Sequence, residues 1–272
     1  METSILARYD LHCHALPEWD DGPDSLDDSL ALLERAQNAG TQTLVATPHV
    51  GRRWKHREEH QSSDIPGAVE RLNNAAQERG LTIRVVPGAE LLMGAIDIGG
   101  AGEVKDSWTY GSKKKWALIE SPGMTWPTFA NHIVYELARR GVRSVLAHPE
   151  RYVDVQKDAN ILQTALSQGA AIQVTAGVVS GQMNDKNMIK CVHNLFKLGL
   201  VHLVASDAHM ASHTMPGEVV EEVVARVGEA RARQIFEDNP RAVLEGTSIP
   251  SQYEVAPTAP SGGGFWSRLR GK

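Results

Sequence analysis

Short apolar runs rich in β-branched residues alternate along the chain with longer amphipathic stretches. Runs of the first kind are typical of buried strands, whereas an apolar period of three to four residues is typical of helices. The predicted strands are residues 9–14, 43–49, 82–90, 116–120, 144–148, 171–176 and 201–207. The predicted helices are one between Ser25 and Gly40 and others at residues 65–79, 127–140, 160–167, 187–198 and 217–238.

This alternation of strands and helices predicts parallel strands with right-handed crossovers, and therefore an α/β fold. Seven strands favour a distorted (β/α)7 TIM-like barrel, and the pattern alone leaves an open sheet as the alternative. A length of 272 residues with 42% hydrophobic residues suffices for one core of this size. We expect residues 1–248 to form a single barrel domain.

The composition changes after the expected barrel. Residues 250–264 are rich in Pro, Ser and Gly, which is typical of a flexible linker. Aromatic and basic residues follow it, namely Phe265, Trp266, Arg268, Arg270 and Lys272. We therefore expect residues 249–272 to be a linker with a short basic-aromatic tail. Two interpretations of the tail stay open, a frayed terminus or a docking peptide for a partner or a membrane surface.

Charge and cysteine content exclude several classes of protein. The net charge of −5 is small and argues against a nucleic-acid partner. Cys13 and Cys191 are too few for a disulfide framework, which indicates a reducing compartment. The sequence contains no stretch like a signal peptide and no apolar run of about 18 residues that would span a membrane. We therefore expect a cytoplasmic protein that does not span a membrane, and the sequence leaves oligomer formation open.

Imidazole and carboxylate side chains recur at the carboxyl ends of the predicted strands. Side chains alternate along a strand, so His12 and His14 point the same way from the end of the first one. Asp21 follows shortly afterwards, in Asp20-Asp21-Gly22-Pro23. The other residues of this kind are His49, Glu90, Glu120, His148, Asp207 and His209. Because active sites of parallel α/β folds form at this edge, we expect all nine side chains on one rim.

These nine side chains predict a metal centre. Buried carboxylates and imidazoles are costly without partners, and divalent cations would satisfy both kinds of group together. Mixed nitrogen and oxygen ligands suit Mn, Fe and Zn better than Ca or Mg. The ligand number suffices for two or three divalent ions, with metal-assisted hydrolysis as the predicted chemistry. The residues alone leave Asp20 as an alternative to Asp21.

The motifs around these residues resemble those of a known superfamily. They are Asp10-Leu-His-Cys-His14, Asp20-Asp-Gly-Pro23, Ala46-Thr-Pro-His49, Gly88-Ala-Glu90, Leu118-Ile-Glu120, Ala147-His-Pro-Glu-Arg-Tyr152 and Ser206-Asp-Ala-His209. In order and spacing they resemble the polymerase-and-histidinol-phosphatase (PHP) superfamily. Within it, the chain is most similar to the manganese-dependent bacterial protein tyrosine phosphatases of capsule and exopolysaccharide loci. The resemblance covers about residues 8–247.

The resemblance implies a fold, a set of site residues and a substrate. It implies the PHP-type (β/α)7 barrel with three metal ions, most often Mn, held by the nine residues named above, and it favours Asp21 over Asp20. It implies a catalytic role for Arg151, Asp207 and His209, with Arg151 holding a phosphate oxygen. The implied substrate is phosphotyrosine on a partner protein, a bacterial tyrosine autokinase whose dephosphorylation tunes exopolysaccharide and capsule synthesis.

Two parts of the sequence depart from the family pattern. The family usually places a second phosphate-binding Arg about five residues after the final His, where this chain has Thr214. His213 is a candidate replacement, and so are Arg52 and Arg53 in the basic loop that follows His49. Residues 94–115 also look unlike the family, and we expect either a local insertion that shapes the rim or an irregular loop.

Two other functions remain open on the sequence alone. One is a PHP-type phosphatase acting on a small phosphomonoester such as histidinol phosphate, because the metal ligands do not separate the two substrates. The other is a scaffold that binds a partner through the tail, residues 249–272, and this role could coexist with catalysis.

Overall fold

The structure is a computed structural model that describes residues 5–51, 60–94 and 103–249. Among these residues, every pair of adjacent strands is parallel. The strands are β1 Tyr9–Cys13, β2 Thr43–Ala46, β3 His49–Val50, β4 Arg84–Pro87, β5 Glu90–Leu92, β6 Trp116–Glu120, β7 Arg143–Ala147, β8 Ala171–Thr175 and β9 Leu203–Ala205. They pair in the orders β1-β2-β4 and β3-β5-β6-β7-β8-β9.

These two sheets form one distorted barrel because two chain paths belong to both of them. β2 continues into β3, and β4 continues into β5, after a short break in each case. The last strand then returns to the first, since the Asp207 N–H donates to the His12 carbonyl at 2.8 Å and the His14 N–H donates to the Ala208 carbonyl at 2.9 Å. The predicted α/β fold with seven strand paths, a distorted (β/α)7 barrel, is therefore confirmed.

The breaks inside the second and third strand paths have local causes. Pro48 has no N–H to donate, so the ladder is interrupted between β2 and β3. At Gly88, between β4 and β5, a Cβ atom would lie 2.6 Å from Cγ1 of Val45, so only glycine permits this close approach. The continuous strands predicted for residues 43–49 and 82–90 are therefore wrong at these positions, although each path ends where expected.

Helices cover the outside of the barrel. Their bounds are α1 Leu26–Asn38, α2 Ile65–Glu78, α3 Ala130–Arg139, α4 Val153–Lys157, α5 Gln163–Ser167, α6 Ala176–Val179, α7 Lys186–Lys197, α8 Val220–Val227, α9 Glu229–Arg233 and α10 Asn239–Glu245. 3₁₀ turns occur at Ser62–Asp64, Asp106–Trp108, Tyr110–Ser112, Pro149–Arg151, Ala159–Leu162 and Pro216–Val219, and a π-helical turn at Gln234–Asp238.

The helix predictions are accurate where the sequence supplies a strong boundary signal. Ser25 caps α1, because its hydroxyl oxygen accepts a hydrogen bond from the Asp28 N–H at 3.2 Å. The single helix predicted at residues 217–238 is wrong. Gly228, with a φ of 78°, separates α8 from α9, and a π-helical turn follows α9. The predicted helices also did not include α4, α6 or α10.

The barrel interior changes from apolar to polar along its axis. Leu11, Val45, Leu118, Val145 and Leu203 belong to an apolar cluster inside the barrel. Farther towards the carboxyl ends of the strands, Glu120 and Gln173 are buried instead. A second apolar cluster packs the outer faces of the strands against the helices. The carboxyl end of the barrel is therefore the polar end, as expected for a site built on parallel strands.

No helix within the described residues combines the length and the apolar character that crossing a membrane requires.

Candidate metal centre

The structure brings all nine predicted ligand residues together at the carboxyl end of the barrel. They form three groups, and within each group the ligand atoms lie within 4.8 Å of one another. The groups are His14, Asp21, His49 and His209; His12, Glu90, His148 and Asp207; and His49, Glu90 and Glu120. Because Glu90 and His49 each belong to two groups, the three groups form one continuous cluster.

Two imidazoles and two carboxylates lie in contact at the centre of the cluster. Nε2 of His12 lies 3.3 Å from Nε2 of His14. The same two nitrogens lie 3.2 and 3.3 Å from Oε2 of Glu90. They lie 3.2 and 3.5 Å from Oδ1 of Asp207. All four side chains are buried, so the two carboxylates need cationic charge beside them.

The outer nitrogens of three imidazoles are held by oxygen atoms. The pairs are Nδ1 of His12 with Oε1 of Gln173 at 2.8 Å, Nδ1 of His14 with Oδ2 of Asp20 at 2.8 Å, and Nδ1 of His209 with the Asp207 carbonyl at 2.9 Å. A carbonyl or carboxylate oxygen can only accept, so each Nδ1 carries the proton. Each ring, when neutral, therefore presents its Nε2 lone pair to the cluster. This arrangement is typical of metal-binding histidines, and the residues fit divalent cations.

Adjacent residues Asp20 and Asp21 have different surroundings. Oδ2 of Asp20 faces Nδ1 of His14 and accepts from the His49 N–H at 2.8 Å. Oδ1 of Asp21 lies 3.3 Å from Nε2 of His209 and 3.5 Å from Nε2 of His49. Asp21 thus faces the lone-pair side of the imidazoles, whereas Asp20 supports them from behind.

Glu90 lies between the groups and touches four imidazoles. Besides its contacts with His12 and His14, its Oε1 lies 2.9 Å from Nε2 of His148, and its Oε2 lies 3.3 Å from Nδ1 of His49. The same Nδ1 of His49 lies 3.1 Å from Oε1 of Glu120. A carboxylate in this position has an oxygen available to each of two neighbouring groups.

Protons on the imidazoles balance the carboxylate charge when no cation is bound. Burial raises the pKa of Glu90, but His12 and His14 outweigh it and hold that pKa well below its usual range. Burial lowers the pKa of His49, but hydrogen bonds with Asp21 and Glu120 outweigh it and raise that pKa to about 9. Metal ligation requires neutral imidazoles, so a divalent cation must displace these protons.

Arg151 lies beside the cluster, in the 3₁₀ turn that follows β7. Its guanidinium donates to Oδ2 of Asp207, while Oδ1 of Asp207 faces His12 and His14. The Arg151 side chain is 29% exposed, so part of it is open to solvent at the rim. Burial raises the pKa of Asp207, but Arg151 and His12 outweigh it and hold that pKa well below its usual range.

Two residues of the cluster have strained backbones. His148 has a φ of 33° and Asp207 has a φ of 51°, both in the left-handed region that residues with a side chain rarely adopt. Such strain persists only where the surrounding structure enforces it, and it occurs most often at functional sites.

The residues considered for a second phosphate contact are His213, Thr214, Arg52 and Arg53. Nδ1 of His213 accepts a hydrogen bond from the His209 N–H at 3.2 Å, so His213 lies next to the cluster. Thr214 is buried, and its hydroxyl donates to Oε1 of Gln182 at 2.9 Å. The Thr214 side chain therefore holds the loop in place and does not face the cluster. Arg52 and Arg53 lie outside the described residues.

The segment 94–115 is only partly described, since residues 95–102 are outside. Its later part forms the turns Asp106–Trp108 and Tyr110–Ser112. Tyr110 joins the apolar cluster inside the barrel, and Nζ of Lys113 donates to the Leu244 carbonyl at 2.6 Å. This part of the segment therefore packs on the barrel, with Tyr110 in its interior.

Sequence analysis missed the residues that orient the ligands. Gln173 had a usable signal, because it is the one amide in the apolar strand β8 and therefore needs a polar partner. Glu150 and Tyr152 lie within one of the motifs, but no partner for either could be predicted from the sequence. Thr175, the partner of Glu150, ends β8, and Ser121, a partner of Tyr152, follows β6, so spacing along the chain does not predict these contacts.

Comparison with known proteins finds a family model and relatives that match much of the chain. The sequence model of the family described as "Capsular polysaccharide synthesis, CpsB/CapC" matches residues 8–245. Tyrosine-protein phosphatase YwqE from Bacillus subtilis (strain 168) is 31% identical over 205 residues, which cover 74% of this chain and 76% of YwqE.

Solved structures are similar over most of the chain. One of them has a TM-score of 0.77 and 27% identity. It belongs to the pair YwqE of Bacillus subtilis and CpsB of Streptococcus pneumoniae, which are described as unique metal-dependent tyrosine phosphatases. That match covers 89% of this chain and 96% of the other chain. The phosphotriesterase from Mycobacterium tuberculosis has a TM-score of 0.51 and 11% identity over 91% of this chain and 97% of its own. This second likeness concerns the fold alone.

Proposed function

Because the chain belongs to the CpsB/CapC family of capsular polysaccharide synthesis, we propose that it is a metal-dependent tyrosine phosphatase. The observation that carries the proposal is the cluster of nine imidazole and carboxylate side chains with Arg151 at its edge. A phosphate monoester is an anion, and a cation-binding cluster beside a guanidinium is suited to bind it.

The nine clustered residues are the proposed metal ligands: His12, His14, Asp21, His49, Glu90, Glu120, His148, Asp207 and His209. The three groups support a proposed content of two or three divalent cations, for which Mn is the proposed metal and Fe and Zn are alternatives. When bound, such cations activate water for attack and neutralise charge on the phosphoryl oxygens.

Arg151, Asp207 and His209 are the proposed catalytic residues. Arg151 uses one donor on Asp207, which leaves other N–H groups of the guanidinium for a phosphate oxygen. The Arg151 contact also fixes the Asp207 carboxylate, so that its second oxygen faces the imidazoles. His209 is oriented by its own Nδ1–H, which donates to the Asp207 carbonyl.

His213, Arg52 and Arg53 are proposed to give further phosphate contacts. Nδ1 of His213 accepts from the His209 N–H, so the proton of the neutral ring is on Nε2. That Nε2–H is a donor available to a phosphate oxygen. The support for Arg52 and Arg53 is their position in the sequence shortly after His49.

The proposed substrate is phosphotyrosine on a bacterial tyrosine autokinase that controls exopolysaccharide or capsule synthesis. The family description and the name of the YwqE relative support this proposal. We further propose that residues 1–248 are the catalytic domain and that residues 249–272 are a linker and a docking tail. Deleting residues 250–272 should then weaken kinase binding while phosphopeptide turnover stays unchanged.

The experiment that tests the metal proposal compares one preparation in two metal states. Protein stripped by a chelator should release no phosphate from a phosphotyrosine substrate, and added Mn²⁺ should restore release. Equal rates in the two states, with metal content measured by mass spectrometry, would rule out a metal-dependent phosphatase.

A further inference from the structure

One short turn connects four neighbouring strand ends at the rim of the barrel. We define the rim turn as Pro149, Glu150, Arg151 and Tyr152, which directly follow His148. Its contacts are Tyr152 with Ser121 after β6, Tyr152 with Ala147 in β7, Glu150 with Thr175 in β8, and Arg151 with Asp207 after β9. Arg151 has a proposed role at the phosphate, but Glu150 and Tyr152 have none so far.

The Tyr152 hydroxyl bridges two backbones that carry candidate metal ligands. It accepts a hydrogen bond from the Ser121 N–H at 2.9 Å and donates to the Ala147 carbonyl at 3.1 Å. Ser121 directly follows Glu120, and Ala147 directly precedes His148. The pairing between β6 and β7 ends at Ile119 and Leu146. Beyond that point, the hydroxyl is the link that joins the two strand ends.

The position of the Tyr152 ring is itself fixed. The side chain is 2% exposed. Its ring packs edge-on against His148, with 6.4 Å between centroids, and in a tilted arrangement against Trp126, with 6.1 Å between centroids. A buried ring with two hydrogen bonds at its tip has little freedom to move. Its hydroxyl therefore sets the spacing of the two strand ends.

The rim turn also explains how the strained backbone at His148 is maintained. A left-handed φ of 33° at a residue with a side chain requires support from its surroundings. The Arg151 N–H donates to the His148 carbonyl at 3.0 Å, and the Tyr152 hydroxyl holds the carbonyl of Ala147 on the other side. Both hydrogen bonds come from the rim turn.

Glu150 provides the second link of the rim turn. Its side chain is fully buried, and Oε1 accepts a hydrogen bond from the Thr175 N–H at 2.8 Å. Thr175 ends the strand that also carries Gln173, the acceptor for Nδ1 of His12. Glu150 therefore connects the turn that presents His148 to the strand that orients His12.

We propose that Tyr152 and Glu150 are positioning residues of the metal centre. They hold Glu120, His148 and Gln173, the hydrogen-bond partner of His12, at the spacing that cations require. The inference rests on the proposed metal-dependent function and adds to it the residues that tune metal affinity. Neither residue needs to touch substrate or metal. Outer-sphere groups of this kind commonly change metal affinity by about 10- to 100-fold.

The test measures Mn²⁺ binding by calorimetry in chelator-stripped protein without substrate. Tyr152→Phe removes both hydrogen bonds and keeps the ring, and it should weaken Mn²⁺ binding by at least about 10-fold. Tyr110→Phe is the matched control. Its hydroxyl is also buried and has no hydrogen-bond partner among the described residues, so this variant should bind Mn²⁺ like the wild type.

A second pair of variants covers the case in which Tyr152→Phe fails to fold. Glu150→Gln keeps an amide oxygen for the Thr175 N–H and should retain most of the Mn²⁺ affinity. Glu150→Leu removes the acceptor and should lose affinity by at least about 10-fold. The free energy of unfolding of each metal-free variant separates loss of fold stability from loss of metal affinity.

The outcomes separate the inference from the proposed function. Wild-type protein that binds no Mn²⁺, Fe²⁺ or Zn²⁺ would contradict the proposed function. Wild-type protein that binds Mn²⁺, with Tyr152→Phe and Glu150→Leu showing unchanged affinity and stoichiometry, would overturn the positioning role alone.

Discussion

The carboxylate of Asp20 holds Nδ1 of His14 at 2.8 Å and so turns the Nε2 of that ring towards Glu90 and Asp207. A carboxylate behind an imidazole fixes its tautomer and raises its strength as a ligand. Asp21, the next residue, lies on the other side of the same cluster, 3.3 Å from Nε2 of His209. The Asp-Asp pair thus supplies one supporting group and one proposed ligand.

This division predicts different losses for the two aspartates. Asp20→Asn should weaken Mn²⁺ binding by about 10-fold, because a neutral amide is a poorer partner for the His14 imidazole. Activity should then return at high Mn²⁺. Asp21→Asn removes a proposed ligand oxygen, so its activity should stay low at any Mn²⁺ concentration. Mn²⁺ titrations of turnover distinguish the two, and identical titration curves would contradict the assignment.

Asp207 is predicted to be needed for turnover and not for folding. Asp207→Asn keeps the shape but removes the charge that faces His12, His14 and Arg151. We expect kcat at saturating Mn²⁺ to fall by on the order of 100-fold or more. Asp106→Asn, at an exposed ion pair with Lys114, is the control and should be fully active. Near wild-type turnover by the Asp207 variant would remove this residue from the site.

Arg151 is predicted to act mainly in substrate binding. Arg151→Lys keeps a positive charge near Asp207 but loses the planar arrangement of several donors. Loss of one charged hydrogen bond to phosphate corresponds to an increase in KM of about 10-fold or more. Inhibition by inorganic phosphate should weaken in parallel. Arg139→Lys on the exposed side of α3 is the control, and equal phosphate inhibition in both variants would exclude Arg151 as a phosphate ligand.

Stability should fall as the solution is acidified because of His202, which lies away from the metal cluster. Its Nδ1 accepts from the Ile172 N–H at 3.1 Å, and burial, with help from Arg231, lowers its pKa from 6.5 to about 4. The unfolded chain therefore binds more protons than the folded chain between these two values. His202 contributes its full stabilisation above pH 6.5 and loses it progressively down to about pH 4.

Between pH 7.5 and pH 5, this effect should remove about 2 kcal/mol from the free energy of unfolding of metal-free protein. His202→Asn keeps an acceptor for the Ile172 N–H but does not titrate, so its loss over the same range should be smaller by that amount. Urea unfolding of both proteins in the presence of a chelator gives the comparison. Parallel pH profiles would show that the pKa of His202 is the same in the folded and the unfolded chain, which would contradict this prediction.

Sequence reasoning located the metal cluster because its residues depend on simple geometry. In a parallel barrel, the residue that ends each strand lies on the same rim, so Glu90, Glu120 and His148 could be placed without knowing the loops. The choice between Asp20 and Asp21 could not be made this way, because adjacent residues in a loop point in directions that only the folded loop determines. The family resemblance favoured Asp21, and the folded loop shows that Asp20 faces Nδ1 of His14 whereas Asp21 faces Nε2 of His209.

Hydrogen-bond partners far apart in the chain were beyond the sequence for a related reason. Tyr152 finds Ser121 in another loop, and Thr214 finds Gln182, so neither contact follows from local spacing. Interruptions of regular elements were also missed. Pro48 and Gly228 are visible in the sequence. The effect of Pro48 depends on whether strand pairing needs the N–H that proline lacks, and the effect of Gly228 depends on whether the helix continues through a residue without a side chain.

Phosphate release by the Mn²⁺-loaded protein is the best test of metal-dependent hydrolysis of phosphotyrosine. A phosphotyrosine peptide and histidinol phosphate should be assayed side by side, each with and without a chelator. We expect fast, chelator-sensitive release from the peptide and little from histidinol phosphate. Release from histidinol phosphate alone, or from neither compound, would contradict this prediction.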